Sequence, residues 1–220
     1  MEEVLNNKTK GTGMQSIIAK ACSVLAKHYP FLLQVLLLHM VRAIAICGAL
    51  MFVIVDQPQS PLILLIVLFL LGQISAVEFL AICLKLSRSQ SAQLFEMQSL
   101  AVYLRWFLVT SFFVVCFLLG IIFALIPGLV IAILFSTYGF AILDGHSAVN
   151  SVKTSIRIAR PVFFQILVLG AIITIPELIF SSPLLVGISI ALEFVLILSL
   201  AEIYINGTHN FIAAEVRNDG

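Results

Sequence analysis

Residues 31–84 read FLLQVLLLHMVRAIAICGALMFVIVDQPQSPLILLIVLFLLGQISAVEFLAICL, and this stretch decides the fold. Two apolar runs, 31–55 and 62–84, are separated by the short segment DQPQSP. The stretch has three charged residues, Arg42, Asp56 and Glu78. A helix needs about 20 apolar residues to cross the hydrocarbon core of a bilayer, and proline interrupts helices. The stretch therefore predicts a helical hairpin that crosses a membrane twice.

The composition of the whole chain extends this prediction. Of the 220 residues, 61% are hydrophobic and 10% are charged, whereas soluble domains are about 45–50% apolar and about 25% charged. Lipid as the surrounding solvent accounts for the shortage of charge. We predict an all-α, polytopic transmembrane helical bundle with interfacial amphipathic helices. Its six predicted spans are residues 31–55, 62–84, 106–125, 127–143, 162–180 and 184–205.

Short connections join these spans in pairs. The three predicted tips are residues 56–61, 126–128 and 181–183, and each contains proline. Because proline and glycine favour tight turns, the spans are expected to form three hairpins within a single membrane domain, 31–205. A cytoplasmic N-terminal tail with an amphipathic helix, 1–30, and a cytoplasmic C-terminal tail, 206–220, are predicted to flank this domain.

Positive charge is distributed unevenly along the chain. Of the twelve Lys and Arg residues, Arg42 alone lies inside a predicted span, and the three hairpin tips carry none. The other eleven therefore fall on one side of a six-span topology. The positive-inside rule makes that side cytoplasmic. We predict a multi-pass plasma-membrane protein with both termini in the cytoplasm.

A segment with helical apolar spacing precedes each predicted hairpin. The apolar positions are Met14, Ile17, Ile18, Ala21, Val24 and Leu25 in the first segment, Leu94, Met97, Ala101 and Leu104 in the second, and Val149, Val152, Ile156 and Ala159 in the third. Amphipathic segments of this kind lie in the membrane interface, with basic residues near anionic head groups. The alternative is that they are connectors that pack on the bundle.

Ionisable residues inside the predicted spans mark candidate functional positions, because charge in hydrocarbon is costly. Arg42 lies near the middle of span one, Glu78 in the inner half of span two, and Glu193 about halfway along span six. One hypothesis is a polar site in which Arg42 faces the bundle interior and pairs with Glu78 or Glu193 to hold an anionic or amphipathic ligand. The alternative is a structural ion pair, or side chains that extend to the interface.

Motifs for catalysis and cofactor binding are missing from the sequence. The chain has no HExxH motif, no GxSxG elbow and no P-loop. Its histidines and cysteines are not at metal-ligand spacing, and its formal net charge of +1 does not indicate a basic surface for nucleic acid. We therefore predict no catalytic residue, no metal, no cofactor and no nucleic-acid partner.

Residues 119–160 read LGIIFALIPGLVIAILFSTYGFAILDGHSAVNSVKTSIRIAR. The pattern is an apolar helix, IPG, a second apolar helix that ends in Leu-Asp-Gly, and then Ala and Ser before a basic helix. It resembles the YciC-like family of uncharacterised bacterial inner-membrane proteins, and it is similar to membrane domains attached to some glycerophosphodiester phosphodiesterases. The matching positions are Pro127, Gly128, Asp144, Gly145, Ala148, Ser151 and Arg157. The resemblance implies a six-span protein of a bacterial inner membrane and no established activity.

The residues of this motif also have a physical interpretation. Pro127 and Gly128 are expected to reverse the chain outside the membrane, where free backbone groups can meet water. Asp144 ends span four and can cap the next helix, with Ser147 as the alternative cap. The basic face of residues 153–160 is then expected to lie on the cytoplasmic leaflet.

The expected function is that of a non-enzymatic membrane protein, either a scaffold or assembly factor or one that organises lipid or envelope components. Its expected partners are membrane lipids, with other membrane proteins or a second copy of the chain as further candidates. The alternative is a small transporter or lipid-handling protein that uses Arg42, Glu78 and Glu193. A membrane-embedded enzyme is a third hypothesis, and it would require a polar dyad at one depth.

Overall fold

The computed structural model describes residues 13–54, 60–123, 125–179 and 186–218. Within these ranges the chain is helical and contains no strand, which confirms the predicted all-α fold. The helices in chain order are α1 (Met14–Ile54), α2 (Ser60–Ser87), α3 (Leu100–Phe123), α4 (Leu125–Leu134), α5 (Tyr138–Leu143), α6 (Ala148–Ala159), α7 (Phe163–Ile179) and α8 (Val186–Asn218).

Five segments of the described chain are long and apolar enough to cross a membrane, in α1, α2, α3, the α4–α5 pair and α8. Helix α7 has 17 residues, so it measures about 26 Å at about 1.5 Å per residue and is short for a hydrocarbon core of about 30 Å. Helices α6 and α7 add a sixth crossing if they form one span bent by 88°. The chain is therefore a multi-pass membrane protein.

The helices pack as neighbours along the chain and then around α8. Helix α1 packs on α2, α3 on α4, and α7 on α8. Phe194 and Leu198 of α8 are buried in one core cluster with α1 and α2. Ala201 and Tyr204, about two turns further along α8, are buried in a second cluster with α5, α6 and α7. Helix α8 thus joins the first hairpin to the second half of the chain.

Both terminal helices extend beyond the predicted spans. Helix α1 has 41 residues and continues without interruption through Pro30, so the first amphipathic segment is not a separate helix. Ile17 and Ala21 from its predicted apolar face are buried, which supports the interpretation as a connector that packs on the bundle. Helix α8 continues to Asn218, so most of the predicted C-terminal tail is helical.

The second predicted amphipathic segment is wrong over most of its length. The chain forms no helix between Arg88 and Ser99, and α3 begins at Leu100. Within this loop the Glu96 carboxylate accepts hydrogen bonds from Lys85 Nζ at 2.6 Å and from the Gln93 N–H at 2.9 Å. These bonds stabilise a non-helical path, because a carboxylate that binds nearby backbone competes with the helix.

The predicted turn at Ile126-Pro127-Gly128 is also wrong. These residues lie in the first turn of α4, where proline is tolerated because its missing N–H would have no partner within the helix. Gly128 packs directly on α3, since a Cβ added to Gly120 would lie 2.7 Å from the Gly128 nitrogen. The two glycines therefore permit the close approach of α3 and α4.

Span four is broken between α4 and α5 rather than continuous. Ser155 of α6 fills the break: its hydroxyl donates to the Leu134 carbonyl at 2.8 Å and accepts from the Thr137 N–H at 3.2 Å. Ser155 and Thr137 are both fully buried. Buried backbone groups that a helix break frees need hydrogen-bond partners, and Ser155 supplies them here.

Candidate functional site

Five side chains from three helices form a polar group that we call the helix-packed cluster: His39 and Arg42 of α1, Ser75 and Glu78 of α2, and Tyr103 of α3. Arg42 Nη1 lies 3.1 Å from Oε2 and 3.3 Å from Oε1 of Glu78. Arg42 Nη2 donates to Ser75 Oγ at 2.9 Å, and the Tyr103 hydroxyl donates to Glu78 Oε1 at 3.2 Å. Because every contact joins two helices, the cluster fastens α1 and α3 to α2.

Helix geometry explains the position of this cluster. Ser75 and Glu78 are three residues apart and therefore share one face of α2. Helical side chains lean towards the N-terminus of their helix, so Arg42 reaches towards the end of the bundle at which α3 begins. Tyr103 lies in the first turn of α3. The cluster consequently lies nearer to that end than the mid-span position of Arg42 in the sequence indicated.

Phe95 from the loop before α3 covers the helix-packed cluster. Its ring centroid lies 5.9 Å from Cζ of Arg42 and 6.2 Å from the ring centroid of His39. Nδ1 of His39 is 3.7 Å from Oε2 of Glu78, which is too long for a hydrogen bond. Glu78 is 1% exposed. The arrangement provides charge compensation and links between helices.

Glu193 has a different position from the other two candidate residues. It is exposed on α8, and the carboxylate that accepts from Arg42 is that of Glu78. The structure thus brings together two of the three residues that the sequence selected. Ser75 and Tyr103 complete the cluster, and their ordinary frequency in apolar helices is the reason that the sequence did not single them out.

A second group lies at the end of the bundle that carries Lys85, Arg88 and Arg105, which we call the basic end. Arg88 and Asp144 form two parallel hydrogen bonds, Nη1 to Oδ1 at 2.8 Å and Nη2 to Oδ2 at 2.6 Å. The Tyr204 hydroxyl donates to Asp144 Oδ2 at 2.8 Å. Arg88, Asp144 and Tyr204 are called the basic-end cluster below. The hydrogen bonds to Asp144 raise the pKa of Arg88 above its ordinary value, so its guanidinium stays charged.

The turn between α5 and α6 places Asp144 in this cluster. Gly145 follows with φ of +88°, a conformation that glycine adopts without steric cost. Asp144 does not cap α6; the cap is Ser147, whose hydroxyl accepts from the Asn150 N–H at 3.4 Å. The motif residue Ser151 is buried, and its hydroxyl donates to the Ser147 carbonyl at 2.9 Å. The resemblance motif therefore shapes the turn that presents Asp144.

A cavity of about 630 Å³ opens beside the basic-end cluster. Four parts of the chain surround it: the end of α2, the α5–α6 turn, α6 and α8. Its lining side chains include two arginines, two histidines and several hydroxyls. The lining residues are Arg88, Gln90, Asp144, His146, Thr154, Arg157, Tyr204, Ile205, Thr208 and His209.

The outer side of α6 carries basic residues beside an apolar groove. Lys153, Arg157 and Arg160 are exposed and occur at spacings of four and three residues, so they share one face of the helix. A groove of about 420 Å³ between α3 and α6 lies next to this face. Apolar residues dominate its lining, which consists of Leu108, Val109, Phe112, Ala148, Val149, Val152 and Lys153.

Comparisons with known proteins add no assignment. No family model, curated protein or solved structure matches the chain. Among the residues that the structure describes, no three His, Cys, Asp or Glu side chains are arranged to hold a metal ion. The interpretation of both clusters therefore depends on their own geometry.

Proposed function

We propose that the chain is a non-enzymatic membrane protein that organises anionic lipid through the exposed basic face of α6. The observation that carries this proposal is the 88° angle between α6 and α7. If α7 runs across the bilayer, α6 runs along its surface. Lys153, Arg157 and Arg160 then point to the head groups, while the adjacent groove accepts acyl chains.

We assign the helix-packed cluster a structural role within this proposal. Its guanidinium and its carboxylate donate and accept within the cluster, and the Phe95 ring covers Arg42. Buried ion pairs of this kind satisfy one another and hold helices in register. A transporter would instead require a continuous cavity at Arg42 and Glu78, and these residues line neither the cavity beside the basic-end cluster nor the groove between α3 and α6.

A lipid-retention experiment tests the α6 face. The chain is extracted in polymer nanodiscs without detergent, and its phospholipids are quantified by mass spectrometry. Wild type is expected to enrich anionic phospholipid over the bulk membrane. K153Q/R157Q/R160Q is expected to weaken the attraction for anionic lipid about 100-fold and so bring the enrichment back to the bulk level, since each of the three basic residues near the surface contributes about 1 kcal/mol.

The matched control removes the same formal charge elsewhere. In K8Q/K10Q/K27Q three lysines that precede the first predicted span are neutralised, and lipid enrichment is expected to stay at the wild-type level. If the α6 variant and the control variant showed the same lipid enrichment, whether at the wild-type level or below it, a specific role for α6 would be refuted.

The proposed location is a bacterial inner membrane with both termini in the cytoplasm, as the charge distribution and the family resemblance suggest. Single cysteines are introduced into a variant without the native cysteines at 56–60, 89–93 and 181–183. An impermeant maleimide is expected to label the first and third regions in intact cells and the second only after permeabilisation. The reverse pattern would overturn the orientation without affecting the assignment of α6 as a surface helix.

A further inference from the structure

We propose that the cavity at the basic end is a binding site for a phosphate group, carried by a lipid head group or by a small soluble molecule. The inference deepens the proposed function, and its lipid form rests on that function. The cavity volume of about 630 Å³ lies within the range of about 300–1,000 Å³ that is typical of small-molecule sites. A glycerophosphate-sized group therefore fits.

The donors of the cavity suit a tetrahedral oxyanion. They come from four directions: Arg88 after α2, His146 from the α5–α6 turn, Arg157 from α6 and His209 from α8. The Thr154 hydroxyl of α6 adds a further donor. Guanidinium groups bind phosphate oxygens through charge-assisted hydrogen bonds. Donors spread around a cavity favour a phosphate over a planar carboxylate, because a phosphate presents its oxygens in three dimensions.

Arg88 is held in place before any ligand arrives. Of the five N–H donors of a guanidinium, Arg88 uses two on Asp144, so three remain for other acceptors. Asp144 is in turn held by Tyr204, which is fully buried. A side chain fixed in this way loses little conformational entropy when it binds a ligand. The basic-end cluster therefore positions a phosphate-binding donor.

The same geometry shows what limits the affinity. Among the lining residues, Arg88 and Arg157 carry positive charge and Asp144 carries negative charge. These three charges sum to +1 when both histidines are neutral. A bound phosphate thus meets attraction from two guanidinium groups and repulsion from one carboxylate. Asp144→Asn keeps the shape of the side chain and removes the repulsion of the phosphate. It is expected to strengthen phosphate binding at a phosphate site, whereas a purely structural ion pair would gain no affinity for phosphate.

The binding experiment uses the full chain in phosphatidylcholine nanodiscs. In the soluble arm, inorganic phosphate and glycerol 3-phosphate are titrated by calorimetry against chloride at equal ionic strength. In the lipid arm, the nanodiscs contain phosphatidic acid, and native mass spectrometry counts the molecules that stay bound. Binding in either arm supports the site, and the arm in which it occurs identifies the source of the phosphate.

Three variants locate the binding within the cavity. H146A/H209A is expected to weaken affinity about 100-fold, since two hydrogen bonds to a charged group are lost. D144N is expected to strengthen affinity about five-fold by removing a nearby like charge. K27Q, whose residue is exposed and absent from the cavity lining, should leave affinity unchanged. Thermal unfolding identifies misfolded variants, and T154V replaces H146A/H209A if the latter does not fold.

The outcomes separate this inference from the proposed function. No phosphate binding in either arm, or equal affinity in wild type, D144N and the folded variants of the lining residues, would overturn the cavity site. Loss of lipid enrichment in K153Q/R157Q/R160Q would still support the α6 face in that case. Conversely, if soluble phosphate bound but anionic lipid was not enriched, the cavity would remain a phosphate site. A lipid head group would then be ruled out as its ligand.

Discussion

The helix-packed cluster and the basic-end cluster use the same three kinds of side chain in two environments. Each contains an arginine, a carboxylate and a tyrosine hydroxyl that donates to the carboxylate. Glu78 is 1% exposed and lies beneath Phe95. In the salt bridge between Arg88 and Asp144, by contrast, the side chains are 32% and 23% exposed.

This difference in exposure separates a structural pair from a candidate ligand site. In the helix-packed cluster Arg42 donates to Glu78 and Ser75, and the Glu78 carboxylate also accepts from Tyr103. In the basic-end cluster Arg88 keeps free donors at the wall of a cavity. An ion pair of this kind therefore stabilises helix packing where protein surrounds it (a closed cluster), and it can bind a ligand where it borders a cavity (an open cluster).

The largest effect is expected from removing one carboxylate in each cluster. Glu78→Ala removes a buried carboxylate from Arg42, whose side chain is 25% exposed, and is expected to lower the free energy of unfolding by about 3 kcal/mol. Asp144→Ala leaves Arg88 near water and is expected to cost about 1 kcal/mol. Reversible unfolding in bicelles by SDS titration measures both changes.

A double variant refines this test. R42M/E78M replaces the buried pair by apolar side chains and is expected to recover most of the stability that E78A loses. If E78A and D144A proved equally destabilising, the distinction between a closed and an open cluster would be wrong.

The two tyrosines are expected to have smaller effects. Here the basic-end cluster, and not the helix-packed cluster, is expected to lose more stability. Tyr204 is fully buried and donates to Asp144 at 2.8 Å, whereas Tyr103 is partly buried and donates to Glu78 at 3.2 Å. Tyr204→Phe is therefore expected to cost about 1.5 kcal/mol and Tyr103→Phe about 0.5 kcal/mol. The same unfolding assay compares them, and a greater loss in Y103F than in Y204F would contradict the hydrogen-bond assignment.

The sequence predicted the helices and the pairing of neighbouring helices well, because apolar runs are local signals. It failed where tertiary contacts decide the path. Pro127 predicted a turn between helices, but it lies in the first turn of α4. The contact between Gly120 and Gly128 packs this end of α4 against α3. Likewise, the apolar spacing around Leu94 predicted a helix, yet the bonds to Glu96 stabilise a loop.

The same distinction between local sequence signals and tertiary contacts applies to the candidate site residues. Arg42 and Glu78 stand out in the sequence because a charge inside an apolar run is rare. Arg88 and Tyr204 do not, since basic and aromatic residues at the ends of spans are ordinary features of membrane proteins. Their meeting with Asp144 depends on how α2, α5 and α8 pack, and no spacing along the chain encodes that packing.

A comparably small effect is expected from the aromatic ring that covers the helix-packed cluster. Phe95 is 42% exposed and lies 5.9 Å from Arg42, so Phe95→Ala should cost about 0.5–1 kcal/mol through the lost cation–π contact. Leu94→Ala is the matched control, because Leu94 is in the same loop and is 41% exposed.

Hydrogen exchange of peptides that cover 72–80 measures whether water reaches the cluster. Faster exchange in F95A than in L94A would show that the aromatic ring, and not the loop alone, keeps the cluster closed. Exchange at the wild-type rate in F95A would mean that helix packing suffices. The two clusters would then differ through their depth in the bundle rather than through the loop that covers one of them.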